Sequence, residues 1–310
     1  MAIGRRQGST IDGEIGHRKK PGAECPIIGG LSQPGPEPTF RFARMQVKKV
    51  PAALGWRWVV EGFSTFFRLP SVMIATGALL LLTILLTTAL PLPFLGPAIP
   101  VLLTPALSFG FAQVTREVLA GRRPSPFMLF SGLGPKAVGV RRELLILGGF
   151  NVIATVVATL IAGLIDGGNW GEIMAGERAP DSPAEASLEV IEAAMLFVAI
   201  YAPFQAALWF APLFVGIHRI PALQAVFYSA VSVWRNKWPL LAYGFGWVAV
   251  ALGWSLGIQL LMPLLGGQGA QMLMFVAMVL LLIVVYSSYW PTFRDIVDPS
   301  QDDGSTPPLA

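Results

Sequence analysis

The chain is short of the groups on which most protein chemistry depends. Among its 310 residues cysteine occurs once, at Cys25, so neither a disulfide framework nor a thiolate metal cluster is available. Lying in a polar stretch, Cys25 reads as a free thiol without a role. Histidine occurs twice. His17 lies near the N-terminus and His218 at the end of an apolar run, so no histidine cluster is placed to hold a metal. Neither His-Glu-x-x-His nor Gly-x-x-x-x-Gly-Lys-[Ser/Thr] occurs, and no serine-hydrolase elbow is expected. Charged residues are scarce at 13% of the chain, about half the share usual in a soluble domain.

Apolar residues are what the chain has instead, at 54%, and their distribution decides the class. They fall into six runs of bilayer-spanning length: residues 72–90, 94–115, 144–165, 193–217, 239–262 and 270–290. None carries Asp, Glu, Lys or Arg in its interior, which weakens proton-coupled transport and ion conduction. The second run is broken by Pro97, Pro100 and Pro105, a pattern that membrane helices tolerate where neighbours satisfy the freed carbonyls. The expected class is an all-α integral membrane protein of six transmembrane helices, with a membrane domain over residues 45–296. Residues 1–44, rich in Gly, Pro, Arg and Lys, and residues 297–310 read as disordered tails. No apolar stretch follows Arg5 and Arg6, so no signal peptide is expected, and the change of texture at Met45 marks it as an alternative start.

Charge between the runs gives an independent check. The connection 116–143 carries Arg116, Arg122, Arg123, Lys136, Arg141 and Arg142 against Glu117 and Glu143. The connection 166–192 has seven carboxylates against Arg178 alone, and 218–238 returns to Arg219, Arg235 and Lys237. Basic and non-basic connections alternate at every crossing, so a bacterial inner membrane with both ends in the cytosol is expected.

Two connections show helical amphipathicity. Over 54–69, Trp56, Val59, Val60, Phe63, Phe66 and Phe67 share one side, and Arg57, Glu61, Ser64, Thr65 and Arg68 the other. Over 222–238, Val226, Phe227, Ala230, Val233, Trp234 and Trp238 oppose Gln224, Tyr228, Ser232, Arg235 and Asn236. Such helices lie in the membrane interface, with the apolar side in the acyl boundary and the polar side in water. With a weaker copy at 126–131, they suggest three parallel units over about 51–116, 124–217 and 221–290. Each would be an interfacial helix followed by two spans.

Candidate binding residues follow from these placements. Glu61 and Arg68 face the interface, where the plainer reading is a solvated ion pair of Arg57 with Glu61 and the sharper one a headgroup or ligand contact. Arg116, beside Arg122 and Arg123, faces anionic lipid. Inside the spans, Gln113, Asn151, Gln205 and Gln259 either hydrogen-bond across helices or line a substrate site. Gly244, Gly246, Gly253 and Gly257 suggest close helix approach, within the chain or between copies. No metal, cofactor, catalytic residue or nucleic acid is implied. The expected partners are the lipid bilayer, further copies of the chain and other membrane proteins.

Six segments carry a family resemblance: Gly55-Trp56 with Gly62-x-x-x-Phe66; Pro105-Ala-Leu-Ser-Phe-Gly110; Arg116-Glu-x-x-x-Gly-Arg-Arg-Pro124; Phe210-Ala-Pro212; Ser232-Val-Trp-Arg-Asn236; and Tyr289-x-x-x-Phe293-Arg-Asp295. In them the chain resembles a family of uncharacterised proteobacterial inner-membrane proteins. The layout is also distantly similar to the membrane domain found beside some glycerophosphodiester phosphodiesterases, whose catalytic domain has no room here. The resemblance implies a fold and a location but no reaction. Two roles are therefore expected: non-enzymatic organisation of lipid or partner proteins, or passage of a neutral or lipid-like solute. A membrane-embedded lipid enzyme would need Glu61, Arg116 and Glu117 to converge.

Overall fold

The computed structural model describes residues 47–92, 95–167 and 185–297. Residues 1–44 with Cys25, residues 298–310 and most of the acidic connection fall outside them. Eight α-helices are described. Helix α1 (Leu54–Arg68) precedes α2 (Pro70–Thr88) and α3 (Leu95–Leu119). Two 3-10 helices, Pro126–Leu133 and Pro135–Ala137, lead into α4 (Val138–Asp166). Then come α5 (Glu185–Leu208), α6 (Ala211–His218), α7 (Ala222–Arg235) and α8 (Lys237–Ile296). Apart from an isolated antiparallel bridge between Val47 and Val297, no strand occurs among the described residues.

Among the described residues six segments are long and apolar enough to cross a membrane: Pro70–Thr88, Gly96–Leu119, Pro126–Ile165, Ala194–His218, Lys237–Leu261 and Gly266–Ile296. These match the six runs read from the sequence. The last two are the arms of α8, which reverses at Gly266, where a φ of 70° suits a residue without Cβ. The Tyr243 hydroxyl meets Ser288 Oγ at 2.7 Å, and Gly266 lies midway between the two in sequence, so the arms run antiparallel.

The order interfacial segment, span, span occurs three times, with one difference. The second interfacial segment is 3-10 rather than α-helical, being crowded by Pro124, Pro126 and Pro135, which remove backbone donors.

Packing is uneven along the bundle. Trp58, Phe109, Phe111, Phe210 and Phe214 are fully buried near the end that carries α1, Arg116, Arg219 and Arg294. Toward the other end Leu164, Leu260 and Leu264 are each at least 80% exposed, as helices that meet hydrocarbon rather than water require. The end with these arginines is the basic end of the bundle.

The amphipathic helices have three faces rather than two. On α1 the protein-facing side is Gly55, Trp58, Val59, Gly62, Thr65 and Phe66. Gly55 sits so close to α8 that a Cβ would come within 2.3 Å of the Pro239 carbonyl, and at Gly62 within 2.8 Å of Ser288 Cβ. Trp56, Val60 and Phe67 are exposed roughly a quarter-turn or more away, while Arg57, Ser64 and Arg68 form a third, polar face. On α7 the expected sides separate differently. Phe227 and Trp234 are exposed, whereas Ser232 and Asn236, expected in water, are completely buried. The cause is hydrogen bonding. Asn236 Oδ1 accepts from Val50 N at 2.9 Å, and its Nδ2 donates to the Lys48 carbonyl at 2.9 Å. Asn236 thus fastens the segment before α1 to the end of α7.

Candidate functional site

The site grows out of two proline breaks. In α3, Pro105 has no N–H to give Val101, four residues earlier, so that carbonyl is left without its helical partner. Asn151 of α4 fills the gap, donating Nδ2 to the Val101 carbonyl at 3.1 Å. Asn151 Oδ1 then accepts from the Tyr201 hydroxyl at 2.8 Å and from Gln205 Nε2 at 3.2 Å. Gln205 also donates to the Tyr201 hydroxyl, one turn away on α5. Close approach of α3 and α4 is set by Gly148, where a Cβ would come within 2.0 Å of the Leu102 carbonyl.

The second break interrupts the fourth span between α5 and α6, at Trp209-Phe210, ahead of Pro212. Here side chains from other helices replace the lost helical bonds. Phe210 N donates to Ser229 Oγ of α7 at 2.9 Å, and the Trp209 carbonyl accepts from the Tyr289 hydroxyl of α8. Irregular backbone at membrane depth is tolerated where protein satisfies it or where it lines a cavity. This break does both.

Between the two breaks lies a cavity of about 330 Å³. Its polar walls are Thr104, Ser108, Asn151 and Gln205, and its aromatic walls are Trp209, Tyr243, Tyr286 and Tyr289. Pro105, Leu208, Pro212 and Val285 complete it, and no wall residue carries a formal charge. Counting from the helix ends at 1.5 Å per residue, it spans roughly 10–20 Å of depth from the basic end. An uncharged, hydrogen-bonding, aromatic chamber suits a small neutral molecule with a polar handle. Its volume lies near the lower bound of ordinary ligand pockets.

The structure distributes the sequence-predicted residues unequally. Asn151 and Gln205 come together in the cavity. Gln113 is half-buried on α3 and is not among the residues of the cavity wall. Gln259 is exposed and donates to Ser255 Oγ at 3.4 Å. Arg68 donates to the Leu119 carbonyl at 3.4 Å, closing the last turn of α3. Glu61 does not pair with Arg57 but with Arg294, through contacts of 3.0 and 3.2 Å. Arg294 also reaches Asp295, whose other oxygen accepts from the buried Trp58 Nε1 at 2.9 Å. This cluster clamps α1 to the end of α8.

The three groups that a lipid enzyme would bring together each have a different partner. Glu61 binds Arg294, Glu117 binds Arg122, and Arg116 lies over the Trp290 ring at 5.4 Å. Of the glycines read as close contacts, only Gly246 meets a neighbour, Val59, whereas a Cβ at Gly244, Gly253 or Gly257 would meet nothing within 4 Å. Gly253-Trp-Ser255-Leu-Gly257 does match the letters of a Gly-x-Ser-x-Gly elbow. It lies inside one continuous arm of α8, with no strand before it, so Ser255 has no elbow to present it.

Sequence reasoning missed the cavity's aromatic wall. Tyr243, Tyr286 and Tyr289 sit in apolar runs, where a tyrosine ordinarily reads as part of an interfacial aromatic belt.

Comparison with known proteins finds a relative named a probable inner membrane protein in Burkholderia thailandensis. It is 34% identical over 255 residues, covering 81% of this chain and 93% of the relative. No family model matches the chain, and no solved structure matches it.

Proposed function

Since this chain belongs to the family of proteobacterial inner-membrane proteins that includes the Burkholderia protein, we propose that it takes up a small neutral or lipid-like solute in its intramembrane cavity and passes it between leaflets or across the membrane. One observation carries this reading: an uncharged cavity walled by Asn151, Gln205 and three tyrosines, opened at a break in the fourth span. Discontinuous helices at substrate sites recur in secondary transporters, where the unwound backbone supplies polar contacts and a place to bend. The protein acts without covalent chemistry, with both ends in the cytosol, so that the basic connections lie on the side the positive-inside rule assigns them.

The test is thermal unfolding of the full chain in neutral detergent against a panel of uncharged small molecules, lipids and alcohols. At least one compound should raise the midpoint for the natural protein and fail to do so for N151A/Q205A. A panel that stabilises both proteins equally would count against the cavity.

A second reading, organisation of lipid or partner proteins, is favoured by a separate observation. Trp56, Phe67, Phe227 and Trp234 are exposed on the two amphipathic helices, at the same end as the basic residues. Replacing Trp56, Phe63 and Phe67 by Ser should then change lipid order or partner recovery; an unchanged membrane would remove this reading.

A further inference from the structure

A second cavity, of about 270 Å³, lies at the basic end, apart from the neutral one. It is bounded by the second 3-10 helix, the first turn of α4 and the turn between α6 and α7. Its charged walls are Lys136, Arg219 and Glu143, two cations against one carboxylate. That carboxylate is already engaged, since Glu143 Oε2 accepts from Ala222 N at 2.8 Å and so caps the start of α7. Neither Lys136 nor Arg219 has an ion pair with a described residue.

The backbone at Arg219 is an independent pointer. Its φ of 53° makes it the one non-glycine residue in the left-handed region among the described residues. This is the position after a helix where glycine is usual, because a Cβ is strained there. Holding an arginine at that cost makes sense if its guanidinium is wanted over the cavity. At the neighbouring Gly139 the space where a Cβ would stand is open, which leaves room for a bound group.

We infer that this cavity binds a phosphate group, held between Lys136 and Arg219, and that its source is the headgroup of an anionic phospholipid. The lipid source follows from position. Val138 and Leu223, beside the cavity in sequence, are 61% and 73% exposed, so acyl chains have an apolar surface next to the charge. Basic pockets at the entry of membrane spans take anionic headgroups on these grounds. The inference rests on the membrane location alone, not on the solute reading.

The experiment uses the delipidated full chain in neutral detergent, with phosphatidylglycerol, phosphatidylethanolamine or inorganic phosphate as probes. Native mass spectrometry and the unfolding midpoint are the readouts. Phosphatidylglycerol should bind one per chain and raise the midpoint, with phosphatidylethanolamine weaker. K136Q and R219G should each weaken phosphatidylglycerol binding about fivefold, and together about 25-fold. R219G relieves the backbone, so without lipid it should unfold no earlier than the natural protein, which separates lost binding from lost folding. N151A/Q205A should bind phosphatidylglycerol unchanged, which keeps this test distinct from that of the neutral cavity. If millimolar inorganic phosphate reproduces the stabilisation and displaces the lipid, the phosphate site stands and its source is soluble. Phosphatidylglycerol binding that survives unchanged in K136Q/R219G, or no binding by either phosphate source, would overturn the inference.

Discussion

Single residues here do the work that water does for a soluble helix. Asn151 supplies the donor that Pro105 withholds from Val101, and its other end orders Tyr201 and Gln205. Asn151→Leu should therefore cost about 1–2 kcal/mol, measured by unfolding in detergent, because it leaves a carbonyl unpartnered and loosens two side chains. Glycines divide sharply by surroundings. A Cβ at Gly110 would come within 1.7 Å of the Leu129 carbonyl, whereas at Gly253 it would meet nothing. Gly110→Ala should cost about 2 kcal/mol or more, and Gly253→Ala should stay within roughly 0.5 kcal/mol of the natural protein. Equal effects in the two variants would refute this packing. The polar residues in the spans were legible in the sequence as exceptions to an apolar run. Which of them converge was not, since Gln113 and Gln205 look alike in one dimension and only the helix rotation separates them.

Elements were legible in number and nearly in boundary, because a bilayer imposes a length that apolar runs disclose. Their orientation was harder to read. Periodicity detects an apolar side but not whether lipid or protein covers it. In water the apolar side turns inward. In a membrane the large apolar side can face lipid while small and polar residues pack, as Gly55 and Gly62 do on α1 and Ser229 and Ser232 on α7, with Asn236 just past its end. The break in the fourth span was equally hidden, since Pro212 in an apolar run is as compatible with a tolerated kink as with a cavity. Two predictions belong at this scale. Pro212→Ala returns a backbone donor to the span and should weaken solute-induced stabilisation while leaving the unfolding midpoint equal or higher. Asn236→Ala should release the 47–50 segment from α7, seen as faster proteolysis ahead of α1 with the spans still intact.

At the scale of the whole molecule, two cavities differ in chemistry and in place: a neutral aromatic one within the spans and a basic one at their entry. The proposed orientation rests on charge patterning, because the positive-inside rule leaves its record between the spans rather than inside them. Reporter fusions after Ile296 and in the 218–221 turn should both report the cytosolic side, and a fusion in the 168–184 connection the opposite side. The most direct test of the solute reading is native mass spectrometry of the full chain released from its own membrane, alongside N151A/Q205A. The account predicts one uncharged small molecule per natural chain, absent from the double variant, with bound phospholipid unchanged in both. A natural chain that carries no such molecule, or a double variant that retains it, would contradict the account.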